Sequence, residues 1–160
     1  MKWVTRKNIR VNRVATAWLI QRFVDKEAEF IFVEPDQVAQ VQQSDGAIGF
    51  DAPDAKYSHD EGITSFEQII RDYGLSDRIL AELNQIVHAA DIPGAIDQKP
   101  EASGLRAISH GFPLVTNNDD ETLQKAFFIY DSLYAYLQAR QQNRTFHNLT
   151  YDQLVTHTRS

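Results

Sequence analysis

Apolar and polar positions change rhythm several times along this chain, and each change predicts an element. Residues 1–5, with Trp3 and Val4 between Lys2 and Thr5, read as a short strand. Asn12 stands where an N-cap belongs, ahead of a helical stretch to residue 24 with Val14, Trp18 and Phe23 on or near one face. Glu29–Val33 is a run of strand formers that stops before Pro35. The order strand, helix, strand predicts a small parallel βαβ unit. Residues 35–43 fit a short helix ended by Ser44-Asp45-Gly46, residues 47–50 another short strand, and residues 51–54 a turn.

Beyond Thr64 the rhythm is helical. Thr64 or Ser65 can cap a helix through Tyr73, with Gly74 as its stop. Ser76 is read as the cap of the next, where Ile79, Leu80, Leu83, Ile86 and Val87 share a face until Pro93-Gly94. Residues 101–110 predict a further helix closed by Gly111-Phe112-Pro113. The longest covers residues 119–140 with a stripe of Leu123, Phe127, Tyr130, Tyr134 and Leu137. The fold class is α+β: a helix-rich single domain over residues 1–140 with a small N-terminal sheet, mixed or parallel. Residues 141–160 form a polar tail with one short helix expected at 151–157.

Composition narrows the chemistry. The 160 residues carry a net charge of −6, so generic binding to a nucleic-acid backbone is not expected. There is no cysteine, which removes disulfides, thiolate metal sites and thiol redox chemistry. No apolar run approaches the roughly 20 residues of a spanning helix, and the basic start Lys2 to Lys7 is unlike a secretion signal. The expectation is a cytoplasmic protein without membrane contact, in which the sequons at Asn143 and Asn148 arise by chance.

Four features can carry chemistry. Arg6, Lys7, Arg10 and Arg13 crowd the approach to the first helix, where backbone N–H groups and arginines together suit a doubly charged oxyanion. Ser58-His59-Asp60-Glu61 sets a histidine between acids, and His88 precedes Asp91 by three residues on one helix. Without cysteine, a transition-metal site (Mn, Fe or Zn) must use nitrogen and oxygen donors, which makes His59, His88 and Asp91 the candidates. Asp131 sits amid Phe127, Phe128 and Tyr134, where a carboxylate must find a partner or face water. His110, His147 and His157 lack such company, Trp3 and Trp18 read as core, and no phosphate loop, nucleophile elbow or His-Glu-x-x-His motif occurs.

The order of these residues resembles the ChrB-type chromate-resistance domain. Trp3-Val4-Thr5-Arg6, Arg13, Trp18-Leu19-Ile20-Gln21-Arg22-Phe23 and Ala28-Glu29-Phe30 carry its start. Phe50-Asp51, Ser58-His59, Ser65-Phe66-Glu67, Tyr73-Gly74-Leu75, Ile86-Val87-His88-Ala89-Ala90-Asp91 and Tyr130-Asp131-Ser132-Leu133-Tyr134 continue it. The sequence departs from the family at Thr16 and at Ile63-Thr64, where members often carry cysteine, and at Asn12, where aspartate is usual. The resemblance implies a bacterial protein tied to chromate or oxidative-stress tolerance, without the regulator's N-terminal region and its DNA binding.

The resulting expectation is a domain binding a divalent metal through His59, His88 and Asp91, with Glu67 and Asp131 as weaker ligands, or an oxyanion through Arg6, Arg13 and Arg10. A metal-dependent enzyme with an open coordination position and a sensing module without catalysis are the alternatives. A shared metal would bring His59 and His88 within about 5 Å. Arg6 and Arg13 are expected to face the cleft that holds His88. Both a monomer and a homo-oligomer are compatible with the sequence.

Overall fold

Alternation along the first strand divides the molecule into two apolar layers. In the computed structural model, which describes residues 1–58, 62–142 and Asp152, strand β1 (Lys2–Arg6) buries Trp3, Val4 and Thr5 in succession. A strand buried on both faces belongs in the middle of a parallel sheet. β1 lies between β2 (Glu29–Val33) and β3 (Ile48–Gly49), parallel to both, with Trp3 opposite Phe30 and Ile48. Trp3 faces the main core, whereas Val4 packs with Val38, Ala47, Ala52 and Ala55 in a smaller cluster on the other face. The small sheet is therefore wholly parallel.

Helix α1 (Val11–Leu19) follows β1 and continues as a π-helical turn, Ile20–Val24. Every residue of α1 is buried, because α3 (Ser65–Asp72), α4 (Arg78–Asp91), α5 (Pro100–Val115) and α6 (Asp119–Gln142) all pack against it. Trp18 stacks among Phe23, Tyr130 and Tyr134, with ring centroids 5.5–6.1 Å away. A short 3-10 turn, Pro35–Gln37, leads into α2 (Val38–Asp45), whose Val38 covers the opposite face of the sheet; a second, Ile96–Gln98, leads into α5.

Helix boundaries correct three expectations. Asn12 is not the cap of α1: Arg10 occupies that position without a side-chain bond, and Asn12 is buried in the first turn, accepting from the Thr16 hydroxyl. The amides of Asn8 and Ile9, in the turn before the helix, donate to the Asp119 carboxylate at 3.0 Å each, which ties this turn to the start of α6. Asp77 rather than Ser76 caps α4, accepting from the Ile79 amide, while Thr64 caps α3 as expected. Helix α5 runs through Gly111 and Pro113 to Val115. Phe112 is anchored in the core, and its carbonyl accepts from both the amide and the hydroxyl of Thr116, which closes the helix beyond the proline. Apart from Asp152, the expected tail helix at 151–157 lies outside the described residues, as do His147 and His157.

Candidate functional site

The strand order β2-β1-β3 sets a topological switch point between β1 and β3. From β1 the chain crosses by α1 to β2 at one edge, and from β2 by α2 to β3 at the other, covering opposite faces of the sheet. Such a reversal opens a gap between helices at the carboxyl ends of the two diverging strands, where parallel sheets receive their ligands. Here those strands are β1, which ends on Arg6, and β3, which is followed by Phe50-Asp51.

Backbone bonds hold the two strand ends together. The Thr5 hydroxyl donates to the Phe50 carbonyl at 2.6 Å, and Arg6 Nε donates to the Asp51 carbonyl at 3.0 Å. Asp51 adopts a left-handed conformation, φ 45°. The following turn is stapled by Gln42 of α2: its Oε1 accepts from the Gly49 and Lys56 amides and its Nε2 donates to the Asp54 carbonyl. Gly49 is required there, since a Cβ would lie 2.4 Å from Gln42 Oε1 and 3.1 Å from the Ala55 methyl.

Arg13 reaches this junction from the first turn of α1 and is only 9% exposed. Its Nη1 points to the Lys7 carbonyl at 3.4 Å, and its Nε lies 3.5 Å from Asp51 Oδ2. That pairing is electrostatic: the buried Nε makes no hydrogen bond. Burial holds the Arg13 guanidinium below its ordinary pKa; Asp51 opposes this, and the fields of Arg6 and Arg10 lower it further, with Asp91 of α4 pulling upward. Two further guanidiniums and two carboxylates therefore act on Arg13 from opposite signs. The amides of Asn8 and Ile9 ahead of the N-cap are engaged by Asp119, and the Arg13 amide of the first turn by the Arg10 carbonyl.

The candidate metal ligands are distributed differently. His88 and Glu67 line one open cavity of about 670 Å³ between α3 and α4, together with Arg71, Asn84, Gln85 and Lys99. Arg6, Arg10 and Arg13 do not line it. Asp91, one turn beyond His88, instead acts on Arg13 and on the buried hydroxyl of Tyr130. Asp131 accepts from Trp18 Nε1 at 2.7 Å and from Arg22 Nε and Nη2 at 3.0 and 2.9 Å, at the edge of a second cavity. Arg22, hydrogen bonded in this way, holds the Asp131 carboxyl below its ordinary pKa. His59 lies outside the described residues; among those described, no three His, Asp or Glu side chains cluster to hold a metal. Asp51 is the site residue that local sequence chemistry does not reveal; its signals are its place two residues after the third strand and in the Phe50-Asp51 match.

Comparison with known proteins gives a consistent picture. Residues 3–137 match the family described as ChrB, C-terminal domain. The chain is 37% identical over 139 residues to Protein ChrB of Cupriavidus metallidurans, an alignment covering 86% of this chain and 41% of that relative. The chain thus spans about two-fifths of the length of the curated relative it matches. No solved structure matches.

Proposed function

Because the chain belongs to the ChrB C-terminal domain family, we propose that it binds a small tetrahedral dianion of the chromate class through Arg6, Arg10 and Arg13, in the service of chromate or oxidative-stress tolerance. The observation that carries this reading is Arg13, buried where β1 and β3 end, with Arg6 bonded to the adjacent Asp51 carbonyl and the charges of Arg6 and Arg10 acting on it. Arginine suits the task because its planar donors meet oxyanion edges in pairs and keep their charge. The buried Nε of Arg13 offers a donor that no protein acceptor satisfies.

Calorimetric titration with chromate and with sulfate tests the reading. Replacing Arg6 and Arg10 with alanine, both outside the buried core, should weaken binding at least tenfold. Equal affinity in the double variant and the parent overturns it.

A second reading concerns a divalent metal of the Mn, Fe or Zn class, and it rests on the shared cavity of His88 and Glu67. These are one nitrogen and one carboxylate donor, leaving coordination positions for water or further ligands. Elemental analysis of protein purified without an affinity-metal step, with Glu67→Gln as comparison, tests it. Stoichiometric metal lost in the variant supports the site, and metal-free parent protein ends it.

A further inference from the structure

We infer that the free edge of β2 pairs antiparallel with β2 of a second copy of this chain, about a two-fold axis at Ile31, and that Phe32 of each copy enters a cavity of the other. The surface lies on the edge of the sheet away from β3 and needs no ligand at the arginine cluster.

β2 is an edge strand with an outward row of backbone groups. The Glu29 amide donates to the Met1 carbonyl and the Val33 carbonyl accepts from the Lys7 amide, both at 2.9 Å. Strand residues alternate, so Glu29, Ile31 and Val33 turn their backbone groups to β1, and Phe30 and Phe32 turn theirs outward. Among the described residues no hydrogen bond reaches those outward amides and carbonyls. The strand reads Glu-Phe-Ile-Phe-Val and is in continuous register with β1, without the lysine, proline or bulge that blunts an exposed edge.

The surface beside that edge is apolar. Phe30 and Phe32 lie with Trp3 on the main-core face, and the Phe30 ring is 6.3 Å from that of Phe50. A cavity of about 550 Å³ adjoins them, lined by Ala28, Phe30, Leu123, Phe127 and Phe128. Phe128 is 76% exposed, so its ring stands largely in water at the rim.

One register satisfies both features. With Ile31 on the axis, Phe30 stands opposite the second copy's Phe32 and exchanges both N–H···O bonds with it, so every outward amide and carbonyl finds a partner. Opposite residues of antiparallel strands share a face, which sets the second copy's Phe32 ring beside Phe30, at the cavity. Charge fits the same register. Glu29 meets Val33 and Glu34 meets Ala28; continued past the strand ends, exposed Lys26 meets Asp36, and no like charges stand opposite one another. A five-residue edge with Phe32 and Phe128 falls at the low end of the roughly 800 Å² per partner of a standard interface, so the dimer is reversible in the micromolar range.

The chain has no cysteine, so one introduced thiol reports the pairing without background. Residues facing each other in a non-hydrogen-bonded antiparallel pair lie about 4.5 Å apart at Cα, within disulfide range. Ile31→Cys should cross-link to a covalent dimer under mild oxidation at least tenfold faster than Ile108→Cys, whose side chain is exposed on α5. In the parent, sedimentation should show a dimer fraction rising over about 1–300 μM, and the Phe30 and Phe32 amides should exchange more slowly with deuterium as it rises. Phe128→Glu, outside the core, should weaken dimerisation at least tenfold with the melting temperature at low concentration unchanged.

A parent that stays monomeric through that range overturns the inference. So does a dimer that Phe128→Glu leaves intact, or one whose Phe30 and Phe32 amides still exchange freely, since it would use another face such as Ile108, Leu114 and Val115 of α5. Equal cross-linking rates for the two thiol variants would indicate random collision and count against it in the same way.

Discussion

Asp131 shows how a single carboxylate can organise the seam between two elements. It accepts from the indole of Trp18, a residue 1% exposed, and from the Nε and Nη2 edge of Arg22. The Arg22 pair is nearly half open to solvent and contributes little after screening. The indole bond matters more, because truncating its acceptor strands a buried donor. Asp131→Ala should therefore lower unfolding free energy by about 1–3 kcal/mol, and Asp131→Asn by less, measured by urea denaturation. The pH dependence follows from the lowered folded-state pKa. A depressed carboxylate contributes its full stabilisation above the unfolded aspartate value of about 3.9, and that contribution is lost as pH falls through the lower folded value. Stability should thus drop more steeply below pH ~4 in the parent than in Asp131→Asn, which lacks the titrating group. Equal acid slopes would show that the Arg22 and Trp18 contacts do not set that pKa.

Helix α5 presents two glycines whose absent side chains leave open space. A Cβ at Gly104 or Gly111 would meet nothing within 4 Å, and neither glycine has a positive φ. Replacement by alanine should stabilise the domain by about 0.5–1 kcal/mol at each position, since glycine in a helix interior carries an entropic cost. Gln42 predicts the opposite sign. Gln42→Ala removes two exposed bonds that water can replace and one part-buried bond to the Gly49 amide, and should cost about 0.5–1.5 kcal/mol. Gly49→Ala should then be less harmful in that background than in the parent, because the clashing Oε1 is gone. These elements also show what sequence can express. The first strand-helix-strand unit, the helix positions and the Thr64 cap were legible because rhythm and capping chemistry are local. The start of α1 was not: Arg10 holds the N-cap position with no side-chain bond, and Asn12, the residue with capping chemistry, is buried and accepts from Thr16 instead. The arginines were legible as a charge cluster, but Asp51 was not. Its role depends on β3 lying beside β1, a tertiary pairing with no local signature. His88 and Asp91 share a helix, yet their side chains serve different surroundings, which spacing alone does not separate.

At the scale of the whole molecule, two charge distributions compete over any incoming anion. The chain carries −6 overall, while Arg6, Arg10 and Arg13 concentrate positive charge at one crevice. Fields from exposed charges fade over a Debye length of about 10 Å at 0.1 M salt, so the distant acidic surface is screened first. If the near arginines dominate, added salt weakens their attraction and affinity for a dianion falls. If the far acidic field dominates, salt relieves repulsion and affinity rises. The buried position of Arg13 and the adjacency of Arg6 and Arg10 favour the first result. Raising sodium chloride from 20 to 300 mM (roughly 20 Å to 6 Å of screening length) should therefore lower sulfate affinity severalfold in the parent. The fall should be steeper in Asp51→Asn, where one fewer carboxylate offsets the arginines. A rise with salt in both proteins would assign control of binding to the overall negative charge, and with it remove the electrostatic basis for an arginine-built anion site.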